Sequence, residues 1–354
     1  MEQVPFGTEQ RLSEYLYRQL NQLEIRLNDL SNVAQVMAST FGHPDKIRYL
    51  GEGCKNYIIN GNCAINQRTS GAVTIAAGTD SWVIDRFRLY NTTDKALTFN
   101  YSTMTWGGSS AYPHIRLSWD AGAPTTGDVV LSTRIEDGKT LSGQIATLQY
   151  AMACDDITAY VTPFMLQALG GGVFTSWMDL GIGYATSDVR AHSHTFEFND
   201  VSALATTAGA GYIDINFHIH WRSTTHPFFI TNFQLESGDK ATPFEYEQRE
   251  ATFRKCCRYF QSIVATGARC NGQYYSTTAA EFYLNYLYHM RNTPIMTLSS
   301  LAANAVGNGA VTFTGGPSSV LGLDSCAFDL TGSAAMTINQ AVWLNATITL
   351  DAEL

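Results

Sequence analysis

Charge is scarce in this chain. Asp, Glu, Lys and Arg make up 15% of its 354 residues, against about 25% in ordinary soluble domains. Such a surface must be covered by Ser, Thr, Asn, Gln and Gly, which suits extended β modules and oligomer interfaces better than a solvated monomeric enzyme. Lys and Arg form no block and the net charge is −9, which argues against nucleic-acid binding. Long apolar runs are missing too: no window reaches the ~18 residues a membrane span needs. Met-Glu-Gln-Val-Pro has no basic segment followed by an apolar run, so no signal peptide is expected. The seven cysteines (Cys54, Cys63, Cys154, Cys256, Cys257, Cys270 and Cys326) are odd in number and scattered. Without a Cys-x-x-Cys pair they indicate neither a zinc site nor a disulfide framework, and are expected reduced and buried. Gly-x-Ser-x-Gly, His-Glu-x-x-His and a phosphate-binding Gly loop are all absent. No catalytic residue and no cofactor is therefore expected.

What is present divides the chain in three. In residues 1–40, Leu16, Leu20, Leu23, Leu27, Leu30, Ala34 and Met37 recur at alternating spacings of four and three. That is a heptad seam, and Thr8 can cap the start of its helix. A lone helix cannot bury so narrow a stripe. The seam predicts a coiled coil between chains, although Leu at both seam positions leaves the strand number open; packing on the chain's own sandwich is the alternative. Gly42, Pro44, Gly51 and Gly53 mark 41–54 as a linker.

From 55 to 250, short runs with β character alternate with turn signals: Val73–Ala76, Trp82–Tyr90, Ala96–Thr103, His114–Trp119, Val129–Arg134, Ile157–Met165, Val173–Leu180, Thr195–Phe198 and Tyr212–Trp221. Ile213 to Trp221 alternates apolar and polar residues, the period of a half-buried strand. Many such strands predict an antiparallel jelly-roll β-sandwich. Glu247–Cys257 reads as a short helix or bent connector, and 251–354 as a second, smaller β-sandwich-like domain. The expected fold class is mainly β.

One segment, Phe228 to Tyr246, reads as an inward strand that leaves its sheet through a fixed turn. Phe228, Ile230, Phe233 and Leu235 are its apolar residues, Gly238 permits a positive φ, and Pro243 presets the next bend. Phe244 and Tyr246 are then expected to pack back on the sandwich. This wording resembles the segment that ends the β-sandwich module of bacteriophage and prophage tail-fibre and appendage proteins. Upstream, Tyr57-Ile-Ile-Asn-Gly-Asn62, Asn66-Gln-Arg68 and Asp85-Arg-Phe87 resemble the opening of the same module. Cys257-Arg-Tyr-Phe260, Met290-Arg-Asn-Thr-Pro294 and Asp351-Ala-Glu-Leu354 look like the terminal module that follows it. The resemblance implies a non-enzymatic virion component made in the bacterial cytoplasm, three-chained by analogy. It would dock to a tail or portal adaptor through residues 1–40 and bind host surface glycan. A capsid or neck fibre without a receptor role and a glycan-cleaving spike are the alternatives.

Sugars pack their C–H faces on flat rings, so Trp106, Tyr112, Trp119, Trp177 and Tyr184 are the candidates for a glycan or inter-subunit contact. Trp82 and Trp221, in regular alternating runs, are expected in the core. Five histidines, His192, His194, His218, His220 and His226, lie close in sequence. His218 and His220 share the polar face of their strand and could ligate a metal if a third group converged, but exposed histidines need no metal, and none is expected. For glycoside hydrolysis, the acids to consider are Asp155, Asp156, Glu136, Asp137 and Glu197. None has the aromatic neighbours of a recognisable catalytic pattern.

Overall fold

Alternation along the chain is enough to build two layers around one core. A computed structural model describes residues 56–69, 71–105, 111–120, 122–171, 173–175, 177–204, 211–265, 270–305, 309–311, 318–331, 338 and 341–353. The expected coiled coil with its seam, the linker and Trp106 lie outside the described residues. The first fourteen strands are β1 (Val73–Ile75), β2 (Thr79–Ile84), β3 (Phe87–Asn91), β4 (Leu97–Thr105), β5 (Ala111–Trp119), β6 (Val129–Glu136), β7 (Ile145–Ala153), β8 (Tyr160–Gly170), β9 (Val173–Phe174), β10 (Met178–Asp179), β11 (Gly183–Tyr184), β12 (Arg190–Glu197), β13 (Tyr212–His220) and β14 (Phe228–Ser237). They form an antiparallel six-stranded sheet, β1-β4-β5-β14-β7-β12, and an eight-stranded sheet, β10-β8-β13-β6-β3-β2, with β9 and β11 also on the edge of β8. From β5 to β8 and from β11 to β14 the chain changes sheet at each connection, which is how a jelly roll winds.

Ile213, Ile215, Phe217 and Ile219 of β13 face inward, as their alternation predicts, and meet Phe228, Ile230, Phe233 and Leu235 of β14. Along β14 the inward spacing changes from two to three between Ile230 and Phe233. A bulge between Thr231 and Gln234 absorbs the extra residue, with Asn232 at φ 54°. Gly238 has φ 116°, as the turn requires. The bend beyond it is held by polar groups. Glu236, almost fully buried, accepts hydrogen bonds from the Thr242 backbone N–H and hydroxyl, both at 2.7 Å. Tyr246 is exposed and its ring meets Phe244 edge-on at 4.9 Å, so the expected packing of both rings on the sandwich is corrected.

Two further corrections concern strand boundaries and tryptophans. The run Trp82–Tyr90 is two strands, because Asp85 and Arg86 form a turn in which Arg86 takes φ 72°. Trp221 is in the core, but Trp82 is only half-buried and lies under the Arg68 guanidinium at 5.1 Å.

Asn60 and Gly61 bind the start of the sandwich to its last strand. Asn60, at φ 62°, donates through Nδ2 to the carbonyls of Ile65 and Asp85 and accepts from Ile65 N–H. Phe233 N–H donates to the Gly61 carbonyl at 2.8 Å, and a Cβ on Gly61 would stand 2.0 Å from the Phe233 carbonyl oxygen. Gly61→Ala must therefore push two backbones apart. We expect a loss of about 2–3 kcal/mol in denaturant unfolding; an unchanged midpoint would show that β14 yields freely.

The helix α1 (Arg249–Cys257) leads to a second core. Its strands are β15 (Phe260–Ala265), β16 (Asn271–Tyr274), β17 (Ala279–Asn285), β18 (Ile295–Ala305), β19 (Gly309–Val311), β20 (Ser318–Leu321), β21 (Ser325–Thr331) and β22 (Ala341–Asp351). They pair in the order β19-β18-β22-β16-β17-β21-β20, with β15 also on β22. Cys326 of β21 lies 3.9 Å, sulfur to sulfur, from Met296 of β18, although four strand positions separate them. The sheet therefore curls over its own apolar face, where Phe282 and Phe328 stack at 5.5 Å.

The two cores meet through a buried polar joint. Gln67 donates from its backbone N–H to Asp85 Oδ2 at 2.6 Å and from Nε2 to the Phe260 carbonyl at 3.0 Å. Burial pushes the Asp85 carboxyl up to about 6, against the opposing hydrogen bonds of Gln67 and the charge of Arg68. Arg68 bridges Asp351 and Glu353 at 3.1 and 2.8 Å and covers the Phe260 ring at 3.9 Å. Arg86, buried, donates to Glu353 and to the Arg134 carbonyl and lies 3.5 Å from the Tyr259 ring centre. On the sandwich side, Glu136 accepts from Arg258 at 3.2 Å and Arg291 at 2.8 Å. These are the residues quoted above for the phage resemblance, and their place in the joint gives that wording a physical cause.

Candidate functional site

Because Ile213 and its alternates face the core, the even-numbered residues of β13 face outward. Across the eight-stranded sheet this outer face carries an unusual mixture of rings and polar groups. At one end Tyr184, Tyr160 and His220 stand side by side on β11, β8 and β13. Tyr184 and Tyr160 have ring centres 5.8 Å apart, and Tyr160 stacks on His220 at 4.3 Å. Asp128 Oδ1 lies 2.8 Å from His220 Nδ1 and closes the row. One step along, Phe164 meets His218 edge-on at 4.7 Å. Further on, Asp214 accepts from the Ser132 hydroxyl at 3.0 Å and lies 3.5 Å from Arg134, whose guanidinium covers the Tyr212 ring at 4.3 Å.

The floor of this face is low. Thr162, Ser132, Asp214 and Asn216 are buried although they point away from the core, so their larger neighbours stand above them. Burial pushes the Asp214 carboxyl up, against the charge of Arg134. It holds His218 and His220 below the usual histidine range, against the charge of Asp128.

Beyond β8 the chain adds an exposed apolar ledge. The turn at Gly170 (φ 83°) and Gly171 (φ 61°) sends it back along β8 as three two-residue strands. Met178 packs toward the core, while Phe174, Trp177, Ile182 and Tyr184 remain 65%, 50%, 51% and 59% exposed. Large apolar groups held so open, next to a polar floor, can cover the C–H face of a sugar while the floor bonds its hydroxyls.

The structure separates the five aromatic candidates. Trp177 and Tyr184 lie on the ledge. Trp119 is inside the sandwich, stacked on Trp221 at 4.8 Å, and cannot touch a ligand. Tyr112 lies on β5 of the other sheet, opposite Met104. Sequence reasoning missed Tyr160, Phe164, Phe174 and Ile182; the signal for Phe174 and Ile182 was the apolar run after Gly170-Gly-Gly172.

The histidines do not converge. His218 and His220 face outward, as expected, whereas His192 and His194 of β12 face inward on either side of the buried Tyr150 ring, at 5.6 and 5.8 Å. Gly183 fits there because a Cβ would lie 2.7 Å from the Tyr150 hydroxyl and 2.9 Å from His192 Nδ1. His226 lies 3.6 Å from Asp155. Among the described residues no three His, Cys, Asp or Glu side chains gather as a metal site. The acids are dispersed too: Glu136 is in the joint and Glu197 is exposed on edge strand β12. Among the described residues, no helix is long and apolar enough to cross a membrane.

No family model and no curated protein matches the sequence. Solved structures are similar over about half of it. One is a cyclase from Fischerella sp. TAU, at 10% identity and TM-score 0.31, covering 52% of this chain and 97% of that one. Another is the enzymatically active domain of bacteriophage CBA120 tailspike protein 4, at 13% identity and TM-score 0.31, covering 52% of this chain and 22% of that one. A third is the N-terminal cellulose-binding domain of Cellulomonas fimi β-1,4-glucanase C, at 14% identity and TM-score 0.28, covering 50% and 95%. Likeness at this level assigns neither a family nor an activity.

Proposed function

We propose that this chain is a non-enzymatic subunit of a bacteriophage tail fibre or appendage, and that its sandwich binds host surface glycan. The observation that carries the binding role is the open aromatic ledge beside the row Tyr184, Tyr160 and His220. The virion role rests on the resemblance of the joint-forming segments to tail-fibre modules. Residues 1–40 would dock to the particle and, through the seam of Leu16, Leu20, Leu23, Leu27, Leu30 and Met37, hold a homo-oligomer, with three chains the fibre analogy. The first core and its sheets would form the body, and the module after residue 250 a tip or lateral domain.

Incubated with envelope polysaccharide of the host bacterium, the purified chain is expected to be retained and to release no reducing ends. Time-dependent release that disappears in Glu197→Gln or Asp155→Asn would make it a glycan-cleaving spike instead. Removing residues 1–8 is expected to leave a folded protein that no longer joins particles; normal incorporation would remove the docking role.

A further inference from the structure

Within the outer-face row, one imidazole nitrogen is set up for a ligand. An ionised carboxylate can only accept, so Asp128 Oδ1, 2.8 Å from His220 Nδ1, fixes the proton on Nδ1 and leaves the lone pair on Nε2. Tyr160, stacked at 4.3 Å and 23°, fixes the plane of the ring. Nε2 has no hydrogen-bond partner among the described residues, and the side chain stays 32% exposed. A buried polar atom needs an internal partner, but this one faces the open site, where a ligand can supply it.

We propose that His220 is the specificity-determining acceptor of the sugar site: its Nε2 takes a hydrogen bond from a ligand hydroxyl while the C–H face of the same sugar lies on Tyr184 and Tyr160. The inference rests on the glycan reading above and deepens it. The ligand class is a saccharide with a free hydroxyl beside a flat C–H face. A residue methylated or acetylated at that oxygen has no proton to donate and is refused.

Acid then weakens binding, because protonation turns Nε2 from acceptor into donor. The groups that face His220 are Asp128 from the connection before β6, Arg222 just beyond β13, His218 on its own strand, Tyr160 on β8 and Tyr184 on β11. Burial holds His220 below the ordinary histidine range; Asp128 opposes this and Arg222 adds to it. The imidazole is therefore neutral near pH 7.5, with the acceptor available.

The test uses the full chain on an array of purified bacterial surface polysaccharides at about pH 7.5. For a polysaccharide that is retained, His220→Phe keeps a ring on Tyr160 and removes the acceptor, and we expect about a tenfold loss of affinity. Wild-type affinity should fall with a midpoint that follows the titration of the His220 ring by NMR, a readout that needs no variant if His220→Phe fails to fold. A wild type that binds with a flat pH profile, or a folded His220→Phe that binds equally well, overturns this assignment and leaves the glycan reading intact. A wild type that binds no arrayed polysaccharide at any pH overturns the glycan reading, and this inference with it.

Discussion

Glu353→Ala should destabilise the protein by about 3–5 kcal/mol, the usual cost of leaving one buried charge without its partner. The cation stranded is Arg86, only 1% exposed. Its remaining contacts are the Arg134 carbonyl and the Tyr259 ring, neither of which carries a full negative charge. Arg68 loses one of its two carboxylates at the same time and keeps Asp351. Glu353→Gln retains an acceptor and should lose less. The loss belongs to the joint, so its signature is specific. The two cores should unfold together in the wild type and in two steps in Glu353→Ala, which calorimetry or a denaturant series followed by two probes can separate. A variant with an unchanged midpoint would mean that the joint is a passive contact.

Much of the sandwich could be read from single strands, and little of the joint could. Ile213 to Trp221 and the four apolar residues of β14 predicted their inward faces because each strand has one wet and one dry side. β7 was missed for the opposite reason. Thr147, Gln149 and Ala151 face away from the core yet are buried, since β12, β14 and the Thr242 turn surround them. A strand wet on neither side shows no alternation. The error at Trp82 was of a related kind: Asp85 and Arg86 break the run with a left-handed residue that was not a glycine, and no turn chemistry announced it.

The joint lay beyond any local pattern. Arg68 and Glu353 are 285 positions apart and Gln67 and Phe260 are 193. Spacing cannot bring such residues together, and a resemblance can mark the words without saying that they touch. At the candidate site, the polar face of His218 and His220 was legible from alternation, whereas the row with Tyr160 and Tyr184 depends on the register of three strands. Trp119 shows the limit of residue type alone. A tryptophan on a strand is a platform or a core residue according to its parity, and the apolar alternation of Ile115, Leu117 and Trp119 places it inside.

The central claim is that the ledge and outer face of the eight-stranded sheet bind glycan, and one titration tests it most directly. Affinity for a retained bacterial polysaccharide should be compared between the wild type and Trp177→Ala/Tyr184→Ala. Both rings are half or more exposed and neither is part of the core cluster, so the variant should fold and melt as the wild type does. Aromatic anchors at binding sites contribute about 2 kcal/mol or more each, so binding should fall by roughly two to three orders of magnitude. A folded double variant that binds as tightly as the wild type would contradict the account and move the site off this face.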